Sequence, residues 1–179
     1  LILGAGGSTA ANKILIDFPM INIDTVEIDE KIIQVSKDKF YANSKINFII
    51  SDARNYLNKN KKVYDVIMLD CYNSLNIPFH LLTREFFQLT KKSLHQDGII
   101  IANFLNLPSK DDLKKQIGTV LTTYKSLKVA AHSYNSVVVA SNRSLHIQKN
   151  YFSFLKEIPF EKYLKDSDIY YTDLKPYAL

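Results

Sequence analysis

The stretch LILGAGGST, residues 1–9, is the clearest indicator of the fold of this chain. Three apolar residues lead directly into a loop that contains Gly4, Gly6 and Gly7. Glycines after a strand let the backbone approach a ligand closely, and a helix that follows offers free N–H groups. A tight turn without a ligand is the alternative interpretation, but an ordinary turn does not need three glycines. We therefore predict a first strand and a ligand-binding glycine loop.

The spacing of these glycines limits the ligand. The dinucleotide fingerprint has its third glycine where Thr9 stands in this chain, which favours a single nucleoside over NAD or FAD. A first helix is expected at residues 8–18, with Ser8 or Thr9 as its cap. The apolar run before the loop is shorter than a typical strand of about five or six residues, and the chain does not start with methionine. We therefore expect an N-terminal part of the protein before residue 1.

Beyond the loop, the spacing of the apolar residues alternates along the chain between the period typical of strands and the period typical of helices. Further strands are predicted at 23–28, 46–50, 63–69, 99–104, 127–132 and 136–141, and further helices at 30–40, 53–58, 83–93 and 111–124. Such units form a mostly parallel, doubly wound sheet with helices on both faces. The final two strands form a hairpin, so the last strand is antiparallel. By analogy, this is the Rossmann-like α/β architecture of the methyltransferase type.

One domain accounts for most of the chain. We predict a nucleotide-binding catalytic α/β domain over residues 1–143 and a C-terminal tail over residues 144–179 that packs on the same domain. The tail is rich in Tyr, Phe and Lys and is expected to lay short helices and loops over one edge of the sheet. Thr83 and Ser109 are expected to cap the fourth and fifth helices.

Composition and charge exclude several classes of protein. Hydrophobic residues make up 46% of the 179 residues, which indicates a globular domain. The net charge is +5, but the lysines are scattered, so we predict no nucleic-acid partner. The single cysteine excludes a disulfide framework and favours a reducing compartment, the cytoplasm. No apolar run approaches the roughly 20 residues of a membrane helix, and no signal peptide is visible.

Carboxylates follow the second and third predicted strands. A carboxylate about 20 residues after the glycine loop can accept hydrogen bonds from both ribose hydroxyls. We assign this role to Glu27, and the cap of the next helix to Asp29. Asp52 is predicted to accept from an adenine amino group while the Ala53 N–H serves a ring nitrogen. A helix cap is the alternative role for Asp52, but its place beside the other sites favours the ligand.

A further carboxylate, Asp70, follows the fourth predicted strand. We expect it to orient or deprotonate an amine nucleophile, and a solvated turn residue is the alternative. Cys71 is interpreted as a small, partly buried side chain and not as a nucleophile. His80 is interpreted as a packed loop histidine. The other histidines lack metal-ligand spacing with one another, so we predict no metal.

The order of these motifs resembles one known family. The glycine loop is followed by VEID (26–29), SDAR (51–54) and YDVIMLD (64–70), which is similar to the order in spermidine synthases, the polyamine aminopropyltransferases. The segment IPFHLLTREFF (77–87) is closer still to a spermidine-synthase-like subgroup. The resemblance covers residues 1–104 well and the tail loosely.

The resemblance implies a class I S-adenosylmethionine methyltransferase fold and a role in polyamine biosynthesis. It implies S-adenosylmethionine, or its decarboxylated form, as the cofactor and a small-molecule amine as the substrate. The catalytic residue would be Asp70, with Tyr72 and Asn73 at the substrate. The oligomeric state stays open, with a homodimer as one option.

Two positions depart from the family pattern. Aminopropyltransferases carry an acidic residue in the glycine loop that holds the amino group of the decarboxylated cofactor, and Gly7 stands there in this chain. They also carry a second Asp three residues after the catalytic one, and Asn73 stands there. A neutral amide cannot pair with an ammonium as a carboxylate does. The family's small N-terminal β domain is also missing from this sequence.

Three functions therefore compete. The leading hypothesis is an aminopropyltransferase that acts on an amine such as putrescine, with most of the rate coming from the positioning of the two reactants. The second is a methyltransferase, because Gly7 leaves room for the cofactor carboxylate near the positive end of a helix. The third is a non-catalytic domain that keeps the fold.

Overall fold

One mixed sheet organises the chain in a computed structural model that describes residues 1–72, 77–105, 110–131, 135–145 and 156–157. In these residues the sheet has eight strands in the order β3-β2-β1-β4-β5-β7-β6-β8. Their bounds are β1 Ile2–Leu3, β2 Ile23–Glu27, β3 Ile46–Ile50, β4 Tyr64–Leu69, β5 Leu94–Leu105, β6 Ser126–Ala131, β7 Asn135–Ser141 and β8 Lys156–Glu157.

The direction of the strands confirms the predicted fold class. Strands β1 to β5 form parallel pairs with one another. Strand β7 is antiparallel to both of its neighbours, β5 and β6. The sheet is therefore mostly parallel and carries the expected antiparallel strand from the final hairpin.

The helices lie close to their predicted positions. Their bounds are α1 Thr9–Asp17, α2 Glu30–Phe40, α3 Ala53–Lys59, α4 Arg84–Lys92 and α5 Lys110–Leu121, with a 3-10 helix at Phe79–Leu81 before α4. The largest difference from the prediction is in β5, which begins at Leu94 and not at Ile99. Leu94 pairs with Tyr64 across an irregular register, so backbone pairing extends the strand through polar residues that the apolar pattern does not reveal.

The helix caps divide into confirmed and wrong predictions. Asp29 accepts from the amide of Lys31, and Thr83 accepts from the amide of Phe86, as expected of caps. Ser8 precedes α1 but makes no side-chain cap, and its φ of 55° is left-handed. Its hydroxyl instead meets the hydroxyl of Ser36 on α2 at 2.7 Å. The predicted Ser8 cap is therefore wrong, because the buried hydroxyl has a partner on the neighbouring helix.

The order of the strands creates the crevice in which this fold class binds ligands. The chain runs outward from β1 through β2 to β3 and then crosses to β4 on the other side of β1. Ligands bind outside the carboxyl ends of the strands at such a switch point. Beneath it, Leu3, Val26 and Leu69 are almost fully buried, so the strand ends rest on a packed core.

Some predictions fall outside the described residues. These are the Ser109 cap, residue 134 of the hairpin turn predicted at 134–135, and most of the tail. The other residue of that turn, Asn135, begins β7 in the structure. Within the tail, Lys156–Glu157 forms β8 and pairs with β6 at the edge of the sheet, where short helices and loops were expected. The boundary between the domain and its tail stays a prediction. In the described part of the chain, no helix has the length and apolar character needed to span a membrane.

Candidate active site

The glycine loop lies against the end of β4. Gly4 has a φ of 98°, and a Cβ at this position would lie 2.4 Å from the backbone oxygen of Asp70. Gly6 also has a positive φ, 46°, but a Cβ there would meet nothing within 4 Å. A Cβ at Gly7 would lie 3.0 Å from the ring of Phe40. Gly4 is therefore required for close packing, because it brings the loop after β1 and the chain after β4 together.

Glu27, the last residue of β2, faces the glycine loop. One carboxylate oxygen accepts from the amide of Ala5 at 2.9 Å. The other accepts from the amides of Ile28 and Asp29 at 2.8 and 3.1 Å. These bonds hold the carboxylate at the mouth of the loop, where it was predicted to bind a ribose.

Asp52 has two roles in the structure. One oxygen accepts from the amide of Asn55 at 2.9 Å and caps α3, and the other lies 2.8 Å from Nε2 of His80. Partial burial raises the pKa of Asp52, but the bonds from Asn55 and His80 outweigh burial, and the net pKa lies below its usual 3.8. Asp52 therefore does cap α3, which was the alternative role, while its second carboxylate oxygen stays at the end of β3 beside His80.

The interpretation of His80 as a packed residue is wrong. Its side chain is 47% exposed and forms an ion pair with Asp52 when protonated. The guanidinium of Arg54 donates to the backbone carbonyl of His80 at 3.0 Å. The SDAR motif and the 3-10 helix therefore meet through these contacts, which tie His80 to the predicted adenine site.

Asp70 follows β4 directly and is exposed. Its Oδ1 accepts from Nδ2 of Asn103 at 3.0 Å, and Oδ1 of Asn103 accepts from Nδ2 of Asn135 at 2.9 Å. Sequence reasoning missed both asparagines. The signal for Asn103 was nevertheless present, since it is the one polar residue in the apolar run IIIANFL, residues 99–105.

The two residues after Asp70 turn back toward the core. Burial raises the pKa of Cys71 to about 12, with smaller contributions from the charges of Glu27, Asp70 and Asp52. The thiol is thus protonated at neutral pH, which supports its interpretation as a non-nucleophile. The hydroxyl of Tyr72 donates to the backbone carbonyl of Asn103. Asn73 lies outside the described residues.

The sheet brings four predicted sites to one edge. Gly4, Glu27, Asp52 and Asp70 follow the adjacent strands β1, β2, β3 and β4. Three of these residues are carboxylates, and the negative charge of each contributes to raising the pKa of Cys71. Such an edge suits a cationic ligand. In the described residues, no group of three or more His, Cys, Asp and Glu side chains is arranged to hold a metal ion.

This fold and this edge define a Rossmann-like α/β domain of the methyltransferase type. The chain belongs to the spermine/spermidine synthase family, since the family's domain model, spermine/spermidine synthase domain, matches residues 1–144. The resemblance inferred from the sequence motifs is thereby confirmed.

Known relatives agree with the family. The polyamine aminopropyltransferase of Vibrio vulnificus is 32% identical over 155 residues, which is 83% of this chain and 52% of the relative. The chain spans about half or less of the length of the curated relatives it matches.

Two solved structures show the same fold. A spermidine synthase in complex with the transition-state analogue AdoDATO matches 99% of this chain and 65% of its own, with a TM-score of 0.70 and 19% identity. Human methyltransferase-like protein 13 in complex with SAH matches 94% of this chain and 78% of its own, with a TM-score of 0.70 and 20% identity.

Proposed function

We propose that this chain is the catalytic domain of an aminopropyltransferase. The enzyme would transfer the aminopropyl group of decarboxylated S-adenosylmethionine to an amine such as putrescine, as the name of the Vibrio relative suggests. The observation that carries the proposal is the set of carboxylates Glu27, Asp52 and Asp70 at the carboxyl ends of β2, β3 and β4, along one edge of the sheet. Both reactants are cations, so an edge with this charge favours their binding.

The nucleoside is proposed to lie across the carboxyl ends of β1 to β3. The glycine loop, with Gly4, Gly6 and Gly7, lets the bound nucleoside approach the protein backbone. Glu27 accepts from the ribose hydroxyls. A carboxylate has about four acceptor sites, and the amides of Ala5, Ile28 and Asp29 already donate to Glu27. One site is therefore left for a ribose hydroxyl, and the second hydroxyl would replace one of the amide bonds. Asp52 accepts from the adenine amino group, and the Ala53 N–H serves the ring. The ligands named for the two similar structures, SAH and AdoDATO, support a cofactor of this class.

The chemistry requires one base beside the reacting carbon. The amine lone pair attacks the aminopropyl carbon next to the sulfonium, the C–N bond forms, and the C–S bond breaks with its electrons returning to sulfur. The proton that the amine loses passes to Asp70, and methylthioadenosine leaves. Asp70 is exposed at the end of β4, so its carboxylate is accessible to an incoming amine. Tyr72 and Asn73 are proposed to line the amine site.

A methyltransferase is the second candidate, and Gly7 favours it. A Cβ at Gly7 would lie 3.0 Å from the Phe40 ring, which limits the space for a side chain at this position. Without a loop carboxylate, the N-terminus of α1 can receive the carboxylate of ordinary S-adenosylmethionine. The similarity to human methyltransferase-like protein 13 shows that the fold is compatible with this alternative.

A product assay by mass spectrometry tests the proposal. The complete natural protein would receive putrescine with either cofactor form. We expect spermidine from the decarboxylated form and a roughly 10²–10⁴-fold lower turnover in Asp70→Asn, the scale of one general base. Asp65→Asn is the matched control, because Asp65 is an exposed carboxylate near the other end of β4.

The other outcomes separate the alternatives. A methylated product would support the methyltransferase, and no product with either cofactor would support a non-catalytic domain. Asn73→Asp restores the carboxylate of the family pattern and should increase spermidine formation. Unchanged turnover in Asp70→Asn would remove Asp70 from the mechanism.

A further inference from the structure

Two asparagines form a chain of hydrogen bonds that ends on Asp70, and we call Asn135, Asn103 and Asp70 the asparagine relay. Asn135 donates to the side-chain oxygen of Asn103 at 2.9 Å. Asn103 donates to Oδ1 of Asp70 at 3.0 Å. Among the described residues, the Asp70 carboxylate has no other hydrogen-bond partner.

The pairing of the strands places the relay. Leu69, the last residue of β4, pairs with Ala102, so Asp70 directly after β4 lies beside Asn103 of β5. Asn103 pairs with Val137 on β7, and Asn135 lies two residues along the same strand. Diagonal neighbours of this kind point to the same face and are within reach of polar side chains. Two paired strands therefore fix both asparagines relative to Asp70.

The carboxylate sets the direction of the hydrogen bonds. An ionised carboxylate only accepts, so Asn103 must turn its NH₂ group toward Asp70. Its Oδ1 then faces Asn135, which donates to it and restrains the amide in this orientation. The hydroxyl of Tyr72 binds the backbone carbonyl of Asn103, which further restrains it.

We propose that Asn103 is a positioning residue that holds the Asp70 carboxylate for the incoming amine, and that Asn135 restrains the Asn103 amide in this position. Asn103 binds Oδ1 and leaves Oδ2 to the amine. This inference rests on the proposed role of Asp70 in the reaction. It extends that role to β7, a strand for which no functional residue was predicted.

The test is a double-mutant cycle on the complete natural protein. Asn103→Ala should lower turnover roughly 10- to 100-fold, the scale of one hydrogen bond to a charged group, while the affinity for methylthioadenosine stays unchanged. In an Asp70→Asn background the same substitution should have no further effect, because it acts through Asp70. Asn135→Ala removes the neutral bond, so a smaller loss of about 2- to 10-fold is expected.

Asn47→Ala is the matched control, since Asn47 donates to Asp24 at 2.7 Å near the opposite end of the sheet. Its turnover should equal that of the wild type. Full activity of folded Asn103→Ala beside an inactive Asp70→Asn would overturn the relay and leave the proposed function intact. Equal losses from Asn103→Ala in both backgrounds would also overturn it. A wild type that forms no aminopropyl product would instead refute the proposed function.

Discussion

Each of the three carboxylates at the strand ends makes a different set of local contacts. Glu27 accepts from one amide of the glycine loop, that of Ala5, whereas Asp52 is shared between a helix cap and His80. Asp70 is held by a side-chain amide. The three carboxylates therefore differ in the atoms they leave for a ligand, although the sequence presents each as an acid after a strand.

Glu27 is expected to contribute to nucleoside binding rather than to stability alone. Glu27→Ala should cost about 1.5–3 kcal/mol of binding free energy for methylthioadenosine, the range for hydrogen bonds to a charged group. Isothermal titration calorimetry measures this, with the exposed Glu30→Ala as the control. Lower stability with unchanged affinity would assign Glu27 a structural role.

Asp52 should make part of the stability depend on pH. Its pKa is lower in the folded chain than the usual 3.8, so the unfolded chain binds more protons in acid. The stabilisation is complete above the unfolded pKa and is lost as the pH falls through the folded pKa. Asn caps helices as well as Asp, so Asp52→Asn should reduce the loss of unfolding free energy between about pH 5 and pH 3. Urea unfolding would show this, and a slope equal to that of the wild type would contradict it.

At the scale of elements, the site depends on how closely the glycine loop approaches the end of β4. A Cβ at Gly4 would lie 2.4 Å from the backbone oxygen of Asp70, and the φ of Gly4 is 98°. A change at Gly4 thus affects β1, the glycine loop and the chain after β4 together. Gly6 also has a positive φ, but a Cβ there would make no close contact. Substitutions at Gly6 therefore test backbone strain alone, whereas those at Gly4 test strain and packing together.

Gly4→Ala should therefore be more destabilising than Gly6→Ala. Left-handed strain alone costs about 1–2 kcal/mol, which is the expectation for Gly6→Ala. Gly4→Ala adds overpacking against backbone, for a total of about 2–5 kcal/mol. Chemical denaturation of both variants measures the difference. Equal destabilisation would show that the loop can move away from β4.

For the whole molecule, the strand order brings the carboxyl ends of four strands together at the switch point, where folds of this class bind ligands. The carboxyl ends of β1, β2 and β3 are adjacent, and β4 closes the other side. Family membership covers residues 1–144, which includes every residue that we assign to this edge. The crevice and the family thus point to the same cofactor class.

The molecule is expected to bind one adenosyl nucleoside and not a dinucleotide. Thr9 begins α1 at the point where the dinucleotide motif has a glycine for close helix–strand packing. Titration with methylthioadenosine, NAD and FAD tests this, and only the first should bind. Micromolar affinity for NAD would contradict the prediction.

The alternation of strands and helices, the antiparallel strand, the caps at Asp29 and Thr83, and the position of Asp70 at a strand end could all be predicted from the amino-acid sequence. These features are local or periodic, so neighbouring residues encode them. Tertiary structure decided the partner of Ser8, the pairing of His80 with Asp52 and the asparagine relay. The contacts from Asn103 span 33 residues to Asp70 and 32 to Asn135. Hydrogen bonds over such separations depend on strand order and register, which no local pattern records.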